Sequence, residues 1–291
     1  MIKPGEIQKK ANQVGVRDQQ IEKDYILSWI LWGIANHEQL SKILVFKGGT
    51  VLKKVYFEDY RFSEDLDFTL LDNEITNEQI FNWFKETFEE IKEESNIPLE
   101  IIDDNEHEDG GINFYIGYVG PLGGFGNNKK VKVDISRSEK LEFKPVVKKV
   151  FIEYSDLEDY ELLCYPLEEL LVEKLRCTMQ RTQPRDYYDI WYLVEIEKME
   201  VEYFTNEFRN KCLNKELNPE DFHNKLEQKL AQYKARWQKS MSDQIKDLPN
   251  FEQVEIFSDK ADMIKEGCVF ITPEMYHTDG FFIAKFKKIG E

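Results

Sequence analysis

The chain has 291 residues, of which 41% are hydrophobic and 13% aromatic, enough to bury a core in one large domain or two ordinary ones and too many for a disordered chain. Its 56 acidic and 39 basic residues leave a net charge of −17, which argues against coating nucleic acid by phosphate neutralisation but leaves room for a local basic groove. No apolar run reaches the roughly 18 residues of a membrane span, so no membrane partner is expected.

The start, MIKPGEIQKKANQVGVRDQQ, is polar and lacks the apolar core of a signal peptide. Cys164, Cys177, Cys212 and Cys268 are scattered, with neither zinc-ligand spacing nor a disulfide framework. These features lead us to expect a cytoplasmic, reduced protein. Residues 19–36 repeat apolar side chains at Ile21, Tyr25, Ile26, Trp29 and Ile30, a helical period with a wide buried stripe. KILVFKGG (42–49) reads as a short strand feeding a tight turn, and TVLKKVYF as a short helix whose amino end lies at the glycines.

RFSEDLDFTLL (61–71) alternates, with Phe62, Glu64, Leu66 and Phe68 on one face and Ser63, Asp65, Asp67 and Thr69 on the other. Residues 76–95 read as a helix, within a strongly acidic stretch over 85–111. INFYIGYVGPLGGFGNNKKVKVDIS (112–136) gives two strands joined by a glycine-rich turn, Val131, Val133 and Ile135 sharing a buried face and Lys132 and Asp134 the other. From about 165 the pattern turns helical, with helices opening near Pro166 and at Pro184. The tail from Cys268 returns to strand character around a Thr-Asp-Gly turn signal. The outline is a mixed α/β domain over 1–164 and a mainly helical domain over 165–291 with a short β-like tail.

Asp65 and Asp67 lie on one side of a strand, where two like charges repel unless solvated or paired. Magnesium resolves that conflict, because it favours oxygen ligands and leaves positions open for phosphate oxygens. Asp134, on the corresponding face of another strand, is a third carboxylate, and three such groups can hold two ions. One ion would steady a triphosphate and its leaving pyrophosphate; the other would lower the pKa of an attacking hydroxyl. A lone DxD is also compatible with an exposed acidic strand face. Gly48 and Gly49, between strand and helix, let backbone N–H groups approach an anion, and Thr50 adds a hydroxyl. The spacing of FKGGTVLKK is not that of a Walker A loop.

Taken in order, FKGGTVLKKVY, RFSEDLDF, VKVDIS and EKLRCTMQRTQPRDYYDIWYL resemble the motifs of the AbiEii/AbiGii-type nucleotidyltransferase toxins, and IEKDYILSWIL is similar to that family's amino-terminal helix. The family comprises toxins of type IV toxin–antitoxin and abortive-infection systems within the DNA polymerase β-like nucleotidyltransferase superfamily. The resemblance spans roughly residues 15–200. It implies an α/β (α+β) polymerase-β-like domain with a mixed sheet, followed by a helical domain closing over the nucleotide.

The resemblance further implies that Gly48, Gly49 and Thr50 cradle the nucleotide, that Ser63 touches phosphate, and that Asp65, Asp67 and Asp134 bind magnesium. It places Lys174, Arg181 and Arg185 at the nucleotide and gives Asp186 a catalytic role. Lys174, Thr178 and Arg181 share one helix face, so a cationic stripe is one reading, and an interhelical ion-pair network in which Arg181 and Arg185 bind Asp186 and Asp189 is the other. Glu22, Lys23 and Asp24 are expected to form ion pairs. The substrate implied is a nucleoside triphosphate, the acceptor an RNA (the tRNA 3′ end above others), and the partner a cognate antitoxin. Transfer to a protein side chain, or nucleotide binding with little turnover, stays open as an alternative. Ser63 is expected to expose its hydroxyl beside the carboxylate pair, where a phosphate added to it would repel a triphosphate.

Overall fold

The computed structural model describes residues 1–124, 129–254 and 256, together with the backbone of 264–265 and 268–269. The chain divides into two compact units, one of Met1–Pro166 with Ser242–Asp247, the other of Leu167–Met241 with Leu248–Glu291.

The first unit opens with helices α1 (Pro4–Val14) and α2 (Asp18–Asn36). Alpha-one is mostly polar and buries only Ile7 and Ala11, so its apolar signal is too thin to read from sequence. Alpha-two is buried on nearly every side, wider than the stripe its periodicity predicts, because it packs against α1, a later helix and the sheet. A helix so enclosed must pair its charges. Glu22 accepts the Leu122 N–H at 2.7 Å and the Lys129 ammonium, Lys23 meets Glu64 at 2.8 Å, and Asp24 meets Lys54 at 2.6 Å. All three acidic and basic positions are ion-paired, as expected.

A single turn, α3 (Leu40–Ile43), leads into β1 (Leu44–Lys47), followed directly by α4 (Gly48–Val51), which continues as a wider π-turn over Leu52–Tyr56. The alternating segment forms β2 over Asp65–Leu70, a shorter strand than its alternation from Phe62 implies. Residues 62–64 are diverted because the Phe62 N–H bonds the carbonyl of Gln244, outside the sheet. Helix α5 (Asn77–Ser95) starts at a Thr76–Gln79 capping box.

Strands β3 (Leu99–Glu106), β4 (Ile112–Tyr118), β5 (Lys130–Ser136), β6 (Val146–Lys149) and β7 (Glu161–Cys164) complete a seven-stranded mixed sheet in the order β3-β4-β5-β2-β1-β7-β6. Beta-three arises from the acidic stretch and gives no strand signal in sequence; as an edge strand it exposes almost all its side chains. One sheet face is apolar. Phe46, Leu66, Phe68, Phe114, Ile116, Val131, Val133 and Ile135 are buried there. The other face carries polar side chains on β2, β4 and β5 that are only half-buried.

The second unit contains α6 (Leu167–Gln180), α7 (Pro184–Trp191), α8 (Thr205–Asn214) and α9 (Phe222–Met241). Pro184 occupies the first turn of α7, where its missing N–H costs no hydrogen bond. Tyr187, Tyr233, Trp237 and Phe251 form an aromatic core with ring centroids 5.1 to 6.5 Å apart. Lys211, fully buried, meets Glu169 at 2.5 Å. Cys164, Cys177 and Cys212 are free thiols. Of the strand character predicted for the tail, only the backbone of Cys268–Val269, paired with Ile264–Lys265, lies within the described residues. Among those residues no helix is long and apolar enough to cross a membrane.

Candidate nucleotide and metal site

The polar face of the sheet gathers the sequence-predicted carboxylates because β2 and β5 run parallel and in register. Asp67 lies beside Asp134, and Asp65 beside Lys132. The row through Asp67 continues to Lys47 on β1 and to Asn113 on β4. Directly paired residues point to the same face, so the strands set out an acidic centre flanked by cations. Lys132 reaches Asp134 at 3.2 Å, and His107 Nε2 stands 4.0 Å from the same carboxylate, with the Asn113 amide 3.0 Å from that nitrogen. His107 escapes a sequence reading because it enters through the β3–β4 turn.

The glycine turn packs against this centre. Gly48 has φ +80°, a left-handed conformation that favours glycine, and a Cβ there would overlap Asp67 Oδ2. A Cβ on Gly49 would lie 2.5 Å from Arg61 Nη2 and 3.3 Å from Ser63 Oγ. Thr50 donates its hydroxyl to the Asp65 carbonyl at 2.5 Å. The turn is therefore bound to the strand end through Thr50, while both glycines allow an approach that no larger residue permits. Ser63 is 9% exposed, not the open hydroxyl expected, because the glycine turn covers it.

The donor chemistry fits a divalent cation: three carboxylates on one sheet face, two of them in register, with Gly48 admitting Asp67 Oδ2 to the turn. Among the described residues no three His, Cys, Asp or Glu side chains are drawn together as a ready metal cage. Magnesium does not require one, since it is usually held by one or two carboxylates with water and substrate phosphates. A cavity of about 1160 Å³ in the same unit lies elsewhere, walled by Lys9, Lys53, Phe62, Gln244 and others, and none of the three aspartates lines it. Its walls mix both charge signs.

In the second unit, Asp186 is fully buried between two cations. Lys174 meets it at 2.9 Å and Asp189 at 2.8 Å; Arg181 binds it with Nε at 2.7 Å and Nη2 at 3.1 Å. Burial would raise the Asp186 carboxyl, but Lys174 and Arg181 outweigh it and hold it well below the usual range. An ion-pair network of the kind the sequence left as an alternative is thus formed, with Lys174 joining the expected Arg181 as a cation for Asp186 and Asp189. Arg185 is half-buried on the first turn of α7, and Thr178 turns its hydroxyl back to the Leu175 carbonyl.

A family model described as nucleotidyl transferase AbiEii toxin, type IV TA system, matches residues 29–259. Among curated proteins none is significantly similar in sequence. Among solved structures, the fold is similar to that of MenT4, a nucleotidyltransferase toxin from Mycobacterium tuberculosis H37Rv, at TM-score 0.50 and 17% identity over 81% of this chain and 72% of that one. It is also similar to JHP933 from Helicobacter pylori, at TM-score 0.53 and 17% identity over 82% and 88% of the two chains. A third, a putative nucleotidyltransferase from H. pylori, matches at TM-score 0.51 and 18% identity over 82% and 91%.

Proposed function

The chain belongs to the AbiEii family of nucleotidyltransferase toxins of type IV toxin–antitoxin systems, and on that premise we propose that it transfers a nucleoside monophosphate from a triphosphate to an RNA hydroxyl, with magnesium as cofactor. The tRNA 3′ end is the acceptor we favour, and a cognate antitoxin is the partner implied by the family. The observation that carries this reading is the register of Asp67 with Asp134, beside Asp65 and against the Gly48–Gly49 turn.

In this proposal the acceptor oxygen attacks the α-phosphorus, its proton passes to solvent water, and the bond to the bridging oxygen breaks to release pyrophosphate. Magnesium, when bound, would neutralise phosphate charge and favour the ionised acceptor. Asp65, Asp67 and Asp134 would hold it. Gly48, Gly49 and Thr50 present backbone N–H groups to the phosphates, and Ser63 supports the turn from beneath. Lys174, Arg181 and Arg185 are assigned to the nucleotide, and Asp186 to orienting Lys174 and Arg181; replacing Lys174 by Met tests that assignment separately.

The charge of −17 requires a local surface for RNA. Lys129 and Lys132 are engaged by Glu22 and Asp134, which leaves Lys144, Lys148 and Lys149 around β6, all exposed, as the better candidates in the first unit. Incubation with each α-labelled nucleoside triphosphate, magnesium and either total RNA or total protein tests the proposal. Label in RNA is the expected result. Label in protein would replace the acceptor, and bound but untransferred nucleotide would replace the activity.

A further inference from the structure

Arg61 is the largest of the fully buried side chains, at 1% exposure, and no nucleotide role has been assigned to it above. Its guanidinium lies under the glycine turn, where Nη2 occupies the space a Gly49 Cβ would need. Nη1 donates to the side-chain oxygen of Gln244 at 3.0 Å and to the Phe62 carbonyl at 3.2 Å. Gln244 also accepts the Phe62 N–H on its backbone carbonyl at 2.8 Å. Gln244 belongs to Ser242–Asp247, the short segment that follows α9 in sequence yet packs within the first unit. One residue, 183 positions away in the chain, therefore fixes both the backbone ahead of the Asp65–Asp67 strand and the guanidinium beneath the turn.

The arrangement has a physical consequence. A buried guanidinium keeps its place only while its rigid fork of donors is matched by acceptors. Arg61 here fills the floor on which Gly49 rests, so a shift of its head group must move either the turn or Ser63. We propose that Gln244 is a positioning residue for nucleotide binding, acting through Arg61 to hold the Gly48–Thr50 turn in the shape that receives the phosphates. This rests on the assignment of that turn to the nucleotide.

The test compares Gln244→Leu, which keeps side-chain bulk but removes the acceptor, with Gln244→Glu, which keeps an acceptor for Arg61. Both retain the backbone bond to Phe62. Two readouts are taken on the full chain, together with thermal stability: binding of ATP, GTP, CTP and UTP with magnesium, and hydrogen exchange at the amides of residues 48–51. The expected result is about tenfold weaker nucleotide binding in Gln244→Leu, with faster exchange at 48–51, unchanged exchange in β1 and β2, and near wild-type behaviour in Gln244→Glu. Wild-type binding or unchanged exchange in Gln244→Leu would overturn the proposal. So would parallel loss in both variants in proportion to melting temperature, which marks a merely structural role. If the unmodified protein binds none of the four triphosphates, the nucleotide assignment of the turn fails, and this proposal fails with it; exchange at 48–51 then reports separately whether Gln244 still holds the turn.

Discussion

The proposed site of the first unit turns on a few atoms at the junction of β1 and α4. Gly48 combines a left-handed backbone with direct contact on Asp67. Replacing it by Ala should cost about 1–3 kcal/mol through the backbone conformation alone, and should impair transfer beyond that by displacing Asp67. Chemical denaturation and a transfer assay on Gly48→Ala separate the two effects; unchanged stability and turnover would show that the turn is not constrained as described. At this scale alternation places Asp65, Asp67 and Asp134 on their face, since a two-residue period is visible in a short window. Arg61 and Gln244 are invisible to the same reading, because their partnership depends on how the chain returns after α9.

The elements are held by buried ion networks, and these make pH a test of the fold. Lys54, on the π-turn after α4, meets Asp24 at 2.6 Å and Glu153 at 2.7 Å, and Tyr154 donates to Asp24 at 2.7 Å. Burial opposes charge on Glu153, but Lys54, Lys53 and Lys10 outweigh it and lower its carboxyl. Burial likewise opposes charge on Lys54, and Asp24 with Glu153 raises it nonetheless. A carboxylate lowered by folding adds stability above its unfolded value, about 4.3 for Glu, and loses it as pH falls further. A raised lysine contributes below its unfolded value of about 10.4 and loses that as pH rises through its folded value.

The network should therefore be intact between about pH 5 and 10 and weaken on either side. Lys54→Met strands the buried Asp24 carboxylate and takes one of three lysines from Glu153, so it should cost about 3–5 kcal/mol near neutrality. As Glu153 without Lys54 gains its proton more readily, the variant should lose less stability than the parent between about pH 5 and 3. Urea unfolding across that range measures both; parallel curves would show that Glu153 is not held by Lys54. Elements with strong periodicity or turn chemistry, such as α2, α5, β2 and the β4–β5 pair, are legible in the sequence. Alpha-one and β3 are not, because one buries only two side chains and the other lies on an edge with most of its side chains in water.

For the molecule as a whole, the proposed RNA acceptor would have to bind a strongly acidic chain through a restricted surface. Replacing Lys148 and Lys149 by Glu should reduce transfer to RNA severalfold while leaving triphosphate binding unchanged, and should flatten the salt dependence of acceptor binding. Equal transfer by this variant would move the acceptor surface elsewhere. The central claim is that the acidic sheet face is where transfer occurs. Transfer rates of Asp65→Asn, Asp67→Asn and Asp134→Asn, each set beside its melting temperature, test it most directly. The account predicts a loss of about a hundredfold or more in Asp65→Asn and Asp67→Asn, with melting within a few degrees of the parent. Undiminished transfer by a folded Asp67→Asn protein would contradict it.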